Sequence, residues 1–421
     1  DDFNGFHIAA FWSKFKALVR GELGGLSNRL QPVCEQTVRM LPELDARQVA
    51  NVAHAFAKAR LVGTGPWHHV WTALPEVVHR RLGGFNGQDL SNTAWAFAKV
   101  GHTTPGLLDA ISAKALRRGL GCFKEQELSN TAWAFATAGH AAPDLFDAIS
   151  AEAVRRGLGG FNAQDLSNTA WAFSTAGHAA PYLFDAISAE AVRRRMGGFK
   201  EQHLSNTAWA FATAGHAAPY LFDGISAEAL RRGLVGFNAQ DLANCAWAFA
   251  VSDPPSADEL FGTTSFSSRC VHLATSFSHA QLSQLHQWLL WREERGKLWP
   301  ALPASFRQAC HEAFIADEGK PSHLQSDVVR AIRSRDLNVE EEHRCKASGY
   351  SIDALVTLND GEKIAVEVDG PSHFVGRSQQ PTGATLLKHR QLRYFGWHLE
   401  IVPYWEWNQS KELHWLPRRP L

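Results

Sequence analysis

A repeat of 38 residues limits what this chain can fold into more than any other feature. Trp95, Trp133, Trp171, Trp209 and Trp247 stand 38 residues apart. Leu90, Leu128, Leu166, Leu204 and Leu242 keep the same spacing, as do Asn92, Asn130, Asn168, Asn206 and Asn244. A unit of this length recurring in tandem cannot bury its apolar face alone, so it must stack on its neighbours. Within one unit Leu90, Ala94, Phe97 and Ala98 fall on a single helical stripe, and Gly101 stands where a helix ends. This is helix A. Pro105 suits the first position of a helix B, with Leu108, Ile111 and Ala115 on its apolar side and Arg117-Arg118 in its last turn. The predicted fold is therefore an α-solenoid of 38-residue helix-turn-helix repeats. Regular units run over residues 85–236, inside a solenoid spanning 42–318. Degenerate copies around Asn51 and Leu285 read as its caps, and 1–41 as N-terminal helices or a further cap.

Composition removes several classes of function. Lys plus Arg and Asp plus Glu number 42 each, so bulk charge draws the chain to neither nucleic acid nor an anionic membrane, and polyanion binding must be local. No run of eighteen apolar residues occurs, which argues against membrane insertion. The six cysteines form no C-x-x-C pair, which disfavours both a disulfide scaffold and a zinc site.

After Pro321 the period stops. A helix is predicted over about 324–335, then strands over 351–358 and 363–368 joined by Asn359-Asp360-Gly361, a strong hairpin signal. A helical stretch to about Phe395 and a strand over 397–402 complete a small α/β domain over 321–421.

The repeat motif Leu90-Ser91-Asn92-Thr93-Ala94-Trp95-Ala96-Phe97-Ala98 resembles the octotricopeptide repeats of algal and protist organellar proteins, with Phe97 where that family commonly has Leu. The resemblance implies sequence-specific binding of organellar RNA. On a helical wheel with Leu90 inward, Gln88, Asn92 and Lys99 fall on the opposite side with Trp95 on the flank. Repeated through Asn130, Asn168 and Asn206, this stripe could line a surface for single-stranded RNA at about one base per repeat. The same Asn and Trp positions could equally hold neighbouring repeats together. The pairs Arg117-Arg118, Arg155-Arg156, Arg193-Arg194 and Arg231-Arg232 form either a phosphate ridge or caps of the helix dipoles. Residues 85–236 hold 13 basic and 13 acidic residues, so the region has no net charge to favour the ridge. The two residues opening helix A alternate between Asn-Gly or Asn-Ala and Lys-Glu, as either an alternating RNA contact or surface variation at a cap. The repeated His102, His140, His178 and His216 are expected at loops or caps, because equivalent atoms one repeat apart are too distant to share an ion.

The strings Gly349-Tyr350-Ser351-Ile352-Asp353, Glu367-Val368-Asp369-Gly370-Pro371-Ser372-His373-Phe374 and Pro381-Thr382-Gly383 onward through Lys388-His389-Arg390 resemble the RAP domain, a restriction-endonuclease-like module. A nuclease of that fold needs two carboxylates to hold a divalent metal and a lysine to position or activate water. The resemblance gives the metal pair to Asp353 and Glu367. Asp369 stands where a lysine is expected, so Lys388 on the following helix is the substitute, with His373 assisting. Otherwise the acids are inherited without activity, and Lys388 with Arg390 touches RNA phosphates. Three functions stay open: a sequence-selective organellar RNA-binding protein acting in transcript processing, stability or translation; a metal-dependent endoribonuclease guided by the repeats; and a structural component of an organellar ribonucleoprotein. Binding needs no cofactor, and cleavage needs Mg or Mn. The partners implied are single-stranded organellar RNA and other RNA-processing or ribosomal proteins. The location implied is a mitochondrion or chloroplast, although no targeting segment is visible in the chain.

Overall fold

A computed structural model describes residues 4–18, 27–102, 105–316, 321–376, 378–411, 413 and 415. The expected solenoid boundary at 318 lies outside the described residues. The chain divides into two compact units, Asp1–Glu190 and Ala191–Leu421.

The first unit begins with helices Gly5–Leu18, Ser27–Met40, Ala46–Lys58 and His68–Arg81, followed by the A-helices Gly87–Val100, Glu125–Thr137 and Ala163–Thr175 and the B-helices Pro105–Arg118 and Pro143–Arg156. Its main packing runs A-helix on A-helix, from Ala46–Lys58 through to Ala163–Thr175, with the B-helices alongside. The sequence explains this. Leu90, Ala94, Ala96 and Phe97 are fully buried, as are Leu128, Ala132, Ala134 and Phe135, and the alanines, serines and threonines between the large residues let two helices approach closely. Ser129 Oγ donates to the carbonyl of Asp165, tying one A-helix to the first turn of the next. Gly101 closes its A-helix at φ 68°, a left-handed cap that glycine adopts without strain.

The alternation at the start of helix A has a structural cause. Asn86 and Asn162 accept from the backbone N–H of Asp89 and Asp165, whose carboxylates accept in return from the cap N–H groups. In the Lys-Glu units the extra acid has a partner instead. Glu125 lies 3.3 Å from Arg156 and Glu201 lies 2.9 Å from Arg232, each arginine at the end of its own unit's B-helix.

The second unit continues the helical pairs with Glu201–Thr213, Pro219–Arg231 and Ala239–Ser252, then His279–Glu294 and Ala304–Ile315. It ends in the α/β module: helix His323–Arg333, strands β1 (Asn338–Arg344), β2 (Ser351–Thr357) and β3 (Lys363–Asp369), helix Gly383–Tyr394, strand β4 (His398–Pro403) and helix Tyr404–Ser410. The strand order is β1-β2-β3-β4, with β4 alone pairing parallel. The β2–β3 hairpin turns at Asn359-Asp360-Gly361, with Gly361 at φ 90°. Strand β1 was not expected. Its sequence Asn-Val-Glu-Glu-Glu-His-Arg reads as a solvated charge run, and it forms an edge strand, where charge protects against unwanted pairing.

One face of the sheet packs Val356, Val366 and Val368 against Val328 and Ile332 of the preceding helix. The other packs Ile352, Ala365 and Leu399 against Leu392 and against Leu290 of the His279–Glu294 helix. The module is therefore built onto the end of the helical pairs rather than hung from them. Arg390 donates to the carbonyl of Val251, at the end of an A-helix, and pairs with Glu294 at 2.7 Å. Tyr350 Oη accepts from Gln287 and donates to Gln391. At Gly383 an added Cβ would stand 1.9 Å from the carbonyl oxygen of Ala212, so only glycine permits this approach.

Phe173 is fully buried in the A-helix core, and Phe173→Ala is expected to lower unfolding free energy by roughly 3–5 kcal/mol in a urea titration. A loss below about 1 kcal/mol would show that the A-helices do not carry the core.

Candidate functional site

Burial leaves each A-helix of the first unit a single open face. Between residues 87 and 99 every position is buried except Gln88, Asn92, Trp95 and Lys99. Those four are spaced i, i+4, i+7, i+11, one stripe of a helix. The equivalents Gln126, Asn130, Trp133 and Thr137, then Gln164, Asn168, Trp171 and Thr175, stand in the same way clear of buried neighbours. Gln and the fourth residue are exposed, whereas Asn and Trp are half-buried.

The tryptophans form a ladder. Trp95 and Trp133 rings lie 6.2 Å apart, as do Trp133 and Trp171, each pair tilted by about 30°. Lys99 Nζ stands 5.9 Å from the Trp133 ring. The side-chain amides of Asn92, Asn130 and Asn168 have no hydrogen-bond partner among the described residues. In the second unit the corresponding amides are occupied. Asn244 Nδ2 donates to Asn206 Oδ1 at 3.3 Å, while Asn244 Oδ1 accepts from Gln240 at 2.7 Å and from Gln284 at 3.3 Å. Asn244 and Trp247 are each only 6% exposed, so the stripe is closed at that copy.

The arginine pairs divide by position. Arg156 is largely buried and donates to the carbonyls of Phe123, Leu120 and Gly121 as well as to Glu152. Arg232 does the same with the carbonyl of Phe199 and with Glu228. These two arginines fasten the loop before their own helix A. Arg155 and Arg231 are exposed but grip Glu152 and Glu228 through two bonds each, and the Arg155 guanidinium holds the Glu152 carboxyl down at about 2. Arg117, Arg118 and Arg193 are exposed, and Arg194 is half-buried. The repeated histidines fasten units together: His140 meets Asp109 and His178 meets Asp147, both at 2.8 Å.

In the terminal module, alternation along β3 puts Ala365, Glu367 and Asp369 on the face covered by helix Gly383–Tyr394. That helix brings Lys388 and His389 over them. Lys388 Nζ lies 2.5 Å from Glu367 Oε2. His373 Nδ1 lies 2.8 Å and His389 Nε2 3.5 Å from the two oxygens of Asp369. Ligand-capable atoms of Glu367, Asp369 and His389 all lie within 4.8 Å of one another, and Glu367 Oε1 is buried without a donor among the described residues. Asp353 sits where β2 changes the side on which it packs, and its Oδ2 accepts the Val368 N–H at 2.7 Å. The metal-compatible set among the described residues is Glu367, Asp369 and His389, with Asp353 close enough beside it for its charge to raise Glu367 and hold up Lys388. A histidine nitrogen among carboxylates suits a transition ion such as manganese better than magnesium. His389 was not singled out from the sequence. Its signal was adjacency to Lys388 on a helix laid over two acids.

Burial pushes the Glu367 carboxyl up to about 8, against the pull of the Lys388 ammonium. Burial would lower Lys388, but Glu367, Asp353 and Asp369 hold it above its ordinary value. Burial also works to raise Asp369, yet His373 and His389 bring it down to about 2.

Because Glu367 is raised, its contribution to stability is full below its unfolded value of roughly 4.3 and is lost as pH rises through about 8. Removing Lys388 takes away the downward pull, so in Lys388→Met the loss continues to higher pH. Thermal unfolding should show the variant's deficit widening from about pH 8 to about pH 10, where wild-type Glu367 has ionised and the variant's has not, and Glu367→Gln in the same chain closing it. A deficit of equal size at both ends would contradict the pairing.

Two comparisons bear on these elements. Residues 366–415 match the RAP domain. A chloroplastic RAP domain-containing protein of Oryza sativa subsp. japonica is 33% identical over 101 residues, which cover 23% of this chain and 15% of that relative. The chain thus spans well under a fifth of the relative it matches. Residues 29–289, more than half of the chain, match the family described as RNA-editing substrate-binding complex 6 protein. With the helical pairs and the terminal sheet both in place, the chain belongs to that RNA-editing substrate-binding complex 6 protein family and carries a C-terminal RAP domain.

Proposed function

We propose that this chain binds single-stranded RNA through the open stripe of its A-helices, as an octotricopeptide-type repeat protein of a mitochondrion or chloroplast. The observation that carries the reading is the stripe itself. Three successive A-helices leave Gln, Asn, Trp and Lys or Thr exposed or half-buried with the positions between them buried, and the Asn amides of those helices have no partner among the described residues. An amide can donate and accept at one base edge, and a half-open indole offers a stacking face, at about one base per repeat. The zero net charge fits a reader of bases better than a general polyanion binder. The matched RNA-editing substrate-binding complex 6 family and the chloroplastic RAP domain-containing relative support an RNA-associated role in an organelle. Other RNA-processing or ribosomal proteins are its expected partners, and transcript processing, stability or translation the expected outcome.

The Glu367–Asp369–His389 cluster favours a second reading, a metal-dependent endoribonuclease guided by the repeats. A bound divalent ion would supply Lewis acidity and an activated water there. Lys388 would balance the charge on Glu367, and His373 would orient Asp369. Lys388 already occupies one side of Glu367 and His373 one side of Asp369, which supports binding without cleavage as the principal reading.

Selection of single-stranded RNA on the full chain should enrich one short motif, about seven nucleotides at most. Changing Asn92, Asn130 and Asn168 together to Ala should weaken that motif at least about tenfold while unfolding stays cooperative. Unchanged affinity would remove the stripe from the interface. Incubation of the bound motif with Mg or Mn separates the two readings. Intact RNA supports binding alone, whereas cleavage that Asp369→Asn abolishes without loss of affinity supports the nuclease.

A further inference from the structure

A pocket of about 510 Å³ opens where helices His279–Glu294 and Ala304–Ile315 meet the loop before β2. Its wall carries Arg292, Lys297, Arg307 and His311, with Leu289 and Leu298 on the apolar side. The positive charge there is not balanced by the fold. Arg292 donates through one terminal nitrogen to the carbonyl of Trp299, and its Nε is buried with no acceptor among the described residues. Arg307 is exposed and has no carboxylate partner among the described residues. It also stands in the first turn of helix Ala304–Ile315, at the positive end of that helix's dipole. Burial and then Arg307 push the Arg292 guanidinium below its ordinary value, which marks the two as mutually repelling.

The other polar groups do not relieve them. Lys297 is paired with Asp258 at 3.0 Å. His286 meets the carbonyl of Ser348 at 2.8 Å, and burial holds its pKa down to about 4, so it is neutral. Glu293, the acid of the wall, is exposed at the rim. The loop cannot move away easily, because Gly349 at φ 80° fits against His311, Phe314 and Ile315.

We propose that this pocket binds the phosphate of a nucleotide, with the two guanidiniums on the phosphate oxygens and the leucine wall against the sugar and base. Two guanidiniums suit a phosphate through paired N–H···O bonds. The volume lies in the range of small-ligand sites. As the source of that nucleotide, the terminal residue of an RNA strand rests on the RNA-binding reading, while a free mononucleotide shares the chemistry.

The full chain is titrated with one single-stranded oligonucleotide made with a 5′-phosphate, a 3′-phosphate or hydroxyls at both ends, and separately with a nucleoside monophosphate. One phosphorylated end should bind about tenfold more tightly than the hydroxyl form, and Arg307→Gln should erase that difference. Arg307 is exposed, so the variant should keep its unfolding temperature. Saturable mononucleotide binding that Arg307→Gln removes, without any effect of the end group, supports the pocket with a free nucleotide as its ligand. Oligonucleotide binding blind to its ends, with no mononucleotide binding, overturns the pocket and leaves the RNA reading standing. Failure of every oligonucleotide to bind while the mononucleotide does so removes the RNA reading and keeps the pocket.

Discussion

Packing of one A-helix on the next is the contact on which the other features of each unit depend. It works because large and small residues keep a fixed order: Leu90 and Phe97 fill the space, and Ser91, Thr93, Ala94 and Ala96 keep the axes close. Close approach buries all but one stripe of each helix in the first unit, so the exposed residues are fixed by the same geometry that makes the core. The Gln-Asn-Trp face is what remains once burial is complete. Its presentation in three copies, one repeat apart, makes a strand of unpaired bases a fitting ligand.

Charge in the repeats is spent mostly on the repeats. Arg156 and Arg232 close the loops ahead of their A-helices, and Glu125 and Glu201 appear only in the units whose arginines they meet. His140 and His178 fasten neighbouring units through Asp109 and Asp147. In the second unit the terminal module uses its own basic residue in the same manner, with Arg390 on an A-helix carbonyl and on Glu294. Lys388, one turn face away, is given to Glu367. Arg292 and Arg307 line a pocket of that unit and have no carboxylate partner among the described residues, with Glu293 exposed in its wall.

Periodicity made the helical pairs legible, since a repeat of 38 residues with Gly101 and Pro105 at fixed offsets leaves little freedom in where helices start and stop. The hairpin was legible because Asn-Asp-Gly states its turn outright. Strand β1 was not, because Glu340 and Glu341 carry no apolar alternation and an edge strand needs none. The roles of the arginines were only half legible. Arg155 and Arg156 are adjacent in sequence, but 100° of helix rotation sends one to solvent and the other to the carbonyls of the preceding loop. The resemblance to the RAP domain brought Glu367, Asp369 and Lys388 into view, whereas His389 became visible only when the helix lay across β3. Asp353 was expected to share a metal with Glu367. One of its carboxylate oxygens accepts the Val368 N–H, while its charge still acts on Glu367 and Lys388.

Ultraviolet crosslinking of the full chain to its selected single-stranded RNA, with the adducted peptides identified by mass spectrometry, tests the stripe most directly. Trp95, Trp133 and Trp171 are the half-open aromatic residues of that face, and indoles stacked on bases crosslink efficiently only in contact. The account predicts adducts on peptides containing 88–99, 126–137 and 164–175, reduced when the Asn residues between them are changed. Adducts confined to the B-helices, with the three tryptophans unmodified, would contradict it.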